Sequence, residues 1–144
     1  MSFSALDIAQ TADPIAGTWE LNLAKSKFIP GPAPKSETRI YEVNGDKIKL
    51  TIKGIDAAGK PTAVQSSYVY DGKDYPITGS PDADMLALRR VDTDTVTGEV
   101  KRAGKVAQTV RRVVSKDGKV LTITFKGTNA KGQAVDDFTV YDRR

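Results

Sequence analysis

Cysteine and histidine are both absent from this 144-residue sequence. Their absence excludes thiolate nucleophiles, Ser-His-Asp triads, ordinary zinc sites and histidine-ligated haem. Disulfides are excluded as well, so cysteine usage gives no information on the compartment. No apolar run approaches the ~20 residues of a membrane-spanning helix. We therefore expect no cofactor and no membrane span.

The acidic pairs Asp82-x-Asp84 and Asp92-x-Asp94 are the nearest approach to a metal-binding motif. An EF-hand calcium loop also needs further oxygen ligands, a central glycine and a terminal glutamate, and neither stretch supplies them. Aspartate in such turns usually caps its own backbone. We expect turns here and no bound metal.

The net charge of +4 raises the question of a nucleic-acid partner, because phosphate contacts need clustered lysine and arginine. Most lysines here lie in turns or alternate with apolar residues, as in the stretch Lys47–Lys53. That alternation is typical of the solvated face of a half-buried strand. We expect a monomer with no nucleic-acid partner.

The first twelve residues are mildly apolar, but Asp7 and Gln10 interrupt them and no basic segment precedes them. They do not form an intact signal peptide, although a remnant of one is an alternative. We expect a flexible lead over residues 1–13 and a single domain over residues 14–144.

Glycine-containing turns punctuate the chain from Glu37 onward, with no amphipathic helix between them. Glycine supplies the positive φ that tight hairpins need, and short strands between such turns indicate an antiparallel meander. The predicted fold is all-β, a single antiparallel up-and-down β-barrel of about 8–10 strands, with a two-sheet sandwich as the alternative. The turn pairs are Asn44-Gly45, Ala58-Gly59, Asp71-Gly72, Ala103-Gly104, Asp117-Gly118 and Lys131-Gly132.

Pro30, Pro32 and Pro34 stand at alternate positions after the first strand. Proline so spaced excludes both a helix and a central strand. We expect a stiff, extended connection over the barrel mouth, with Phe28 and Ile29 near the opening.

Turn length fixes which side chains of a hairpin share the interior face. On the strand before Asp117-Gly118, the interior positions would run from Val106 to Val114 at every second residue. For the strand that contains Tyr41, two registers remain as alternatives: Arg39 and Tyr41 face inward in one, and Thr38 and Ile40 face inward in the other. The predicted pairs are Val114–Leu121, Arg112–Ile123, Val110–Phe125, Phe138–Phe125, Val140–Ile123, Tyr68–Tyr75, Ser66–Ile77 and Ile48–Tyr68.

Arg112 is the least expected of these interior residues, because an unpaired buried guanidinium is very costly. It could lie near a barrel end with water, or meet an acidic partner such as Glu42 or Asp142. In the third alternative the interior is a wet cavity, where the guanidinium holds a carboxylate or another oxyanion in a two-pronged geometry.

The first strand opens with Gly17-x-Trp19, and Arg143 and Arg144 lie on the last strand. This arrangement resembles the lipocalin and fatty-acid-binding-protein superfamily. The run Gly17–Asn22, followed by Lys25–Phe28 and the alternating prolines, resembles bacterial lipocalin-like proteins in particular. The resemblance implies a ligand-holding barrel and, since many such proteins are exported, a periplasmic or secreted location.

The resemblance also implies structural roles for Gly17, Trp19 and Arg143. In that superfamily the tryptophan packs at the closed end of the barrel, and an arginine of the last strand lies across its ring. The chain departs from the pattern in having no helix-turn-helix lid, no C-terminal helix and no disulfide.

We predict that the barrel carries or stores a small hydrophobic or amphipathic molecule, which could be acidic. The alternatives are a cofactor-free isomerase or cyclase that uses Tyr68 or Tyr75 with Arg112, and a structural module with a solid core. No residue is predicted to be catalytic. The predicted ligand-binding residues are Leu50, Ser66, Tyr68, Tyr75, Gln108, Val110, Arg112, Phe125 and Phe138.

Overall fold

A computed structural model describes residues 13–144 of the chain. Within this range the regular structure consists of ten β-strands and a short 3-10 helix, Leu23–Lys25. The strands are β1 (Gly17–Leu21), β2 (Ser36–Asn44), β3 (Lys47–Ile55), β4 (Pro61–Tyr68), β5 (Tyr75–Thr78), β6 (Met85–Arg90), β7 (Thr95–Arg102), β8 (Lys105–Val114), β9 (Val120–Thr128) and β10 (Ala134–Arg143).

Each strand pairs antiparallel with the next one in the chain, and β10 pairs with β1 to close the barrel. Closure removes the unpaired edges that an open sheet of this length would expose. The predicted fold, an all-β antiparallel barrel, is confirmed. The expected flexible lead, residues 1–13, lies outside the described residues except for Asp13.

The predicted hairpin registers hold wherever the turn has the expected length. Arg112 pairs with Ile123, and Val110 pairs with Phe125, across the turn that contains Asp117-Gly118. The pairs Val114–Leu121, Ser66–Ile77 and Ile48–Tyr68 are also present. Of the two registers considered for β2, the structure has the one in which Arg39 and Tyr41 face inward. Arg39 pairs with Ile52, and Tyr41 pairs with Leu50.

The predicted register between β9 and β10 is wrong. The connection is a five-residue loop, 129–133, in which the Asn129 side chain accepts from the backbone N–H groups of Lys131 and Gln133. Phe125 therefore pairs with Asp137 instead of Phe138. A one-residue slip turns every side chain to the other face. Phe138 is accordingly on the outer face, 47% exposed.

The same slip moves Val140 to a position opposite Thr122, while Tyr141 faces inward opposite Leu121. Val140 nevertheless stays buried. Its backbone N–H donates to the Ser26 hydroxyl at 2.9 Å, so the segment after β1 covers this part of the outer face.

The prediction that Val106 faces the interior is also wrong, because Val106 points outward and is 51% exposed. A β-bulge between β7 and β8 explains it: Lys101 pairs with Val106, but Val100 pairs with Gln108. Ala107 is thus an extra residue in β8. Because of this bulge, the alternation changes face, and every second residue from Gln108 onward points inward.

Trp19 closes one end of the barrel and has no exposed surface. Its indole Nε1 donates to the Ile15 carbonyl at 2.9 Å. The Arg143 guanidinium lies over the indole, with Cζ 4.1 Å from the ring centroid. Gly17 has a φ of +127°, and a Cβ there would overlap the Arg143 side chain. Glycine is therefore required at this position by both backbone and space.

Candidate functional site

The barrel encloses a cavity of about 380 Å³ between the buried tryptophan and the opposite end, which we call the mouth. Seven of the nine residues predicted to bind ligand line it: Leu50, Ser66, Tyr68, Gln108, Val110, Arg112 and Phe125. The other two, Tyr75 and Phe138, do not. Its apolar lining also includes Ile52, Val64, Ile77, Leu86, Leu88, Val100 and Ile123.

Tyr75 lies at the start of the short strand β5, where it pairs with Leu86 of β6. The β4–β5 ladder covers only the pairs Gln65–Thr78 and Ser66–Ile77, so the predicted Tyr68–Tyr75 pair does not form. The Tyr75 hydroxyl instead donates to the Asp71 carboxylate at 2.7 Å. That bond raises the pKa of Tyr75.

Arg112 is deeply buried, with 5% exposure, and lines the cavity near the tryptophan end. Its guanidinium donates to the hydroxyl of Tyr68 at 3.3 Å and to that of Tyr70 at 2.7 Å. Its Cζ also lies 5.4 Å from the ring centroids of Tyr41 and Tyr70. The Nε atom is buried and has no hydrogen-bond partner among the described residues.

No carboxylate of the described residues forms an ion pair with Arg112. Of the two acidic partners considered from the sequence, Glu42 is exposed, and Asp142 accepts a hydrogen bond from Asn22. The direct partners of Arg112 are therefore phenols. Burial raises the pKa of Tyr68 and raises that of Tyr70 to about 12, so both hydroxyls are protonated and neutral near pH 7.

The Asp13 carboxylate is linked to Arg112 indirectly, through the Tyr70 hydroxyl. The Tyr70 hydroxyl donates to Oδ2 of Asp13 at 2.7 Å. The same oxygen accepts from Arg90 at 2.7 Å. We call the cluster of Arg112, Tyr68, Tyr70 and Tyr41 the floor cluster. Because Arg90 already offsets the Asp13 charge, the floor cluster carries a positive charge that no carboxylate among residues 13–144 compensates directly.

A second polar group, which we call the wall pair, consists of Glu37 and Arg39 on β2. The Arg39 Nε donates to Oε2 of Glu37 at 3.1 Å, and the Tyr141 hydroxyl donates to the same oxygen. Arg39 also donates to the Tyr41 hydroxyl at 3.2 Å and lies 5.2 Å from the Tyr141 ring centroid. Burial raises the pKa of Tyr141. The wall pair is electrically neutral.

The sequence prediction did not include Glu37 or Tyr141 in the cavity, although both line it. Glu37 shares the face of Arg39 and Tyr41, so a settled register for β2 would have placed it inside. Tyr141 was missed because the loop before β10 is longer than the glycine pair alone suggests.

The proline segment reaches the mouth as expected. Phe28, Pro30 and Pro32 line the cavity, whereas Ile29 is 45% exposed. The Ile29 N–H donates to the Asp137 carboxylate at 3.0 Å, which ties the segment to β10. The connection therefore lies against the barrel at its mouth.

Neither a scan against protein-family models nor a search of the curated proteins finds a match to this chain. The closed ten-stranded antiparallel barrel is consistent with a calycin-like fold. Among residues 13–144, no group of three or more acidic side chains is placed to hold a metal ion. The same range has no helix that is long and apolar enough to span a membrane.

Proposed function

We propose that this barrel binds a small amphipathic acid, whose acid group lies at Arg112 and whose apolar chain runs toward the mouth. The apolar part would contact Leu50, Val110 and Phe125, which line the same cavity. Convergent polar groups in a mainly apolar pocket are the usual composition of a small-molecule site.

The observation that carries this proposal is the burial of Arg112 without an acidic partner among the described residues. A buried guanidinium whose hydrogen-bond partners within the described part of the chain are neutral phenols has given up its hydration there without gaining a counter-ion. An anion at this position would restore that interaction through charge-assisted hydrogen bonds, each worth about 1.5–3 kcal/mol. The bonds to Tyr68 and Tyr70 already hold the guanidinium in place, so little ordering cost remains.

The cavity volume limits the size of the ligand. About 380 Å³ lies toward the lower end of the range for ligand pockets. At the ~30 Å³ that a water molecule occupies in the liquid, it has room for roughly a dozen non-hydrogen atoms. A medium-chain acid such as decanoic acid has that size. The space also disfavours the alternative of a solid-core structural module.

The test compares decanoate with decan-1-ol, a neutral molecule of similar length, by isothermal titration calorimetry. The variant Arg112→Leu removes the cation and should weaken decanoate binding by roughly tenfold to a hundredfold. Binding of the alcohol should change little. Arg111→Leu is the matched control, because Arg111 is the exposed neighbour on the same strand. Equal losses for acid and alcohol would rule out the anion-binding role.

A cofactor-free isomerase or cyclase is the second candidate. One observation favours it: the Glu37 carboxylate lies in the cavity beside the Tyr141 hydroxyl, and such a pair can exchange protons with a bound molecule. No carboxylate of the described residues accepts a hydrogen bond from Tyr68. NMR spectra of candidate acids before and after incubation with the protein separate the two, because isomerisation or cyclisation changes the spectrum even where the mass is unchanged, whereas a carrier returns the acid unchanged.

A further inference from the structure

One oxygen of the Glu37 carboxylate has no hydrogen-bond partner among residues 13–144. The carboxylate's hydrogen bonds within the described residues, from Arg39 and Tyr141, both fall on Oε2. A carboxylate can accept about four hydrogen bonds, and Oε1 is not among the fully buried atoms without a partner, so it is open to solvent or a ligand. The side chain lines the cavity and is 21% exposed, so Oε1 can be reached from inside the barrel.

The position of Glu37 relative to Arg112 determines which part of a bound acid lies near Oε1. Tyr41, Arg39 and Glu37 are successive inward residues of β2, which spans about 13 Å over these four steps at ~3.3 Å each. Arg112 lies against the Tyr41 ring, and Arg39 bridges the Tyr41 hydroxyl and Glu37. An acid held at the floor cluster must therefore pass Arg39 and Glu37 on its way to the mouth.

The charges of the two polar groups differ, so they select different chemical groups. The floor cluster is positive and suits an anion. In the wall pair Arg39 already offsets Glu37, so a second anion there would be repelled by Glu37 without gaining a free cation. A neutral hydrogen-bond donor is what the open oxygen can accept.

We propose that the ligand is an acid that carries a hydroxyl or amide N–H along its chain, and that Oε1 of Glu37 accepts a hydrogen bond from this donor while the acid group lies at Arg112. This inference rests on the proposed function and specifies its ligand class. Hydroxy acids of medium chain length are the simplest members of that class.

The experiment compares three acids that share a ten-carbon chain: decanoate, 10-hydroxydecanoate and 10-methoxydecanoate. The hydroxyl can donate, whereas the ether can only accept, so their difference measures donation to the protein. We expect the hydroxy acid to bind about tenfold more tightly than the methoxy acid. Six- and eight-carbon pairs then show which chain length brings the hydroxyl to the wall pair. Decanedioate should bind more weakly than the hydroxy acid.

The variant Glu37→Gln keeps the size of the side chain but replaces the accepting oxygen pair with an amide. It should reduce the preference for hydroxyl over ether to about twofold or less. Glu42→Gln is the matched control, because Glu42 lies on the outer face of the same strand. That variant should keep the full preference.

A direct measurement on the unmodified protein avoids any dependence on the variant's folding. The chain has four glutamates, so their side-chain carboxyl signals can be assigned after ¹³C labelling. The Glu37 signal should shift with the hydroxy acid more than with the methoxy acid. If all three acids bind equally and this signal does not respond, the inference is overturned while the proposed function stands. If none of the acids binds, both are overturned.

Discussion

Arg143 and Trp19 form a stacked pair that closes the barrel, with the guanidinium carbon 4.1 Å from the centre of the indole. The same guanidinium donates to three backbone carbonyls, those of Pro14, Ala16 and Gly118, at 2.5–2.6 Å. It therefore joins the last strand to the segment before β1 and to the turn before β9. Such a pair acts on stability and has no contact with the cavity.

Arg143→Ala should destabilise the barrel by about 2–4 kcal/mol, because it removes charge-assisted hydrogen bonds to the partly buried carbonyls of Pro14 and Gly118 as well as the contact with the Trp19 ring. Urea unfolding followed by Trp19 fluorescence measures the change. Arg144→Ala is the control. Arg144 is 57% exposed and pairs with Glu20, a surface ion pair worth about 0.5 kcal/mol or less. Similar losses for the two variants would contradict the structural role of the stack.

Gly98 permits a close approach of β7 to β6. Its φ is not in the left-handed region, but a Cβ there would overlap the Ala87 carbonyl oxygen and contact Leu88. Gly98→Ala should therefore cost about 2 kcal/mol or more, through displacement of a neighbouring strand. Gly104→Ala, in a turn with open space around it and a φ of +80°, should cost only about 1 kcal/mol of backbone strain. Urea midpoints of both variants, with m-values, test this order.

The sequence was sufficient to predict the antiparallel meander because the information for it is local. Each glycine pair marks a turn, and alternation along the next strand follows from the turn. The hairpin at Asp117-Gly118 illustrates this, since its predicted pairs, Arg112–Ile123 among them, are all present. The number of strands favours closure but also allows a two-sheet sandwich, and the β10–β1 pairing that decides between them joins distant parts of the chain.

The wrong predictions for Phe138 and Val106 also have local causes, which the composition does not reveal. A side chain, Asn129, lengthens the loop before β10 and moves Phe138 out of the cavity. A bulge at Ala107 turns Val106 outward. Neither a side-chain cap nor a bulge alters the hydrophobic pattern, so strand alternation gives no warning of them.

The floor cluster could be predicted only in part. Arg112 and Tyr68 were placed inside by register, but Tyr70 lies beyond the end of β4, where strand alternation no longer applies. Its role depends on Asp13, which is 57 residues away in the sequence. Contacts over such separations arise from closure of the barrel and leave no periodic signal.

The buried tyrosines predict how the protein responds to alkali. Burial raises the pKa of Tyr70 from 10.0 to about 12, and it raises those of Tyr68 and Tyr141 as well. In the unfolded chain these phenols lose their protons near pH 10, whereas the folded protein holds them at that pH. Stability is therefore complete below about pH 10 and falls as the pH rises through 10–12, by up to ~1.4 kcal/mol per pH unit for each such group.

Absorbance at 295 nm, recorded from pH 8 to 13, follows tyrosine ionisation directly. We expect Tyr68, Tyr70 and Tyr141 to ionise together with unfolding as seen by circular dichroism. In Tyr70→Phe, one of the late-ionising groups is removed, so the loss of stability between pH 10 and 12 should be smaller by about the share of one tyrosine. If all five tyrosines ionise near pH 10 while the barrel stays folded, the phenols around Arg112 are accessible to water and the floor cluster is not buried as described.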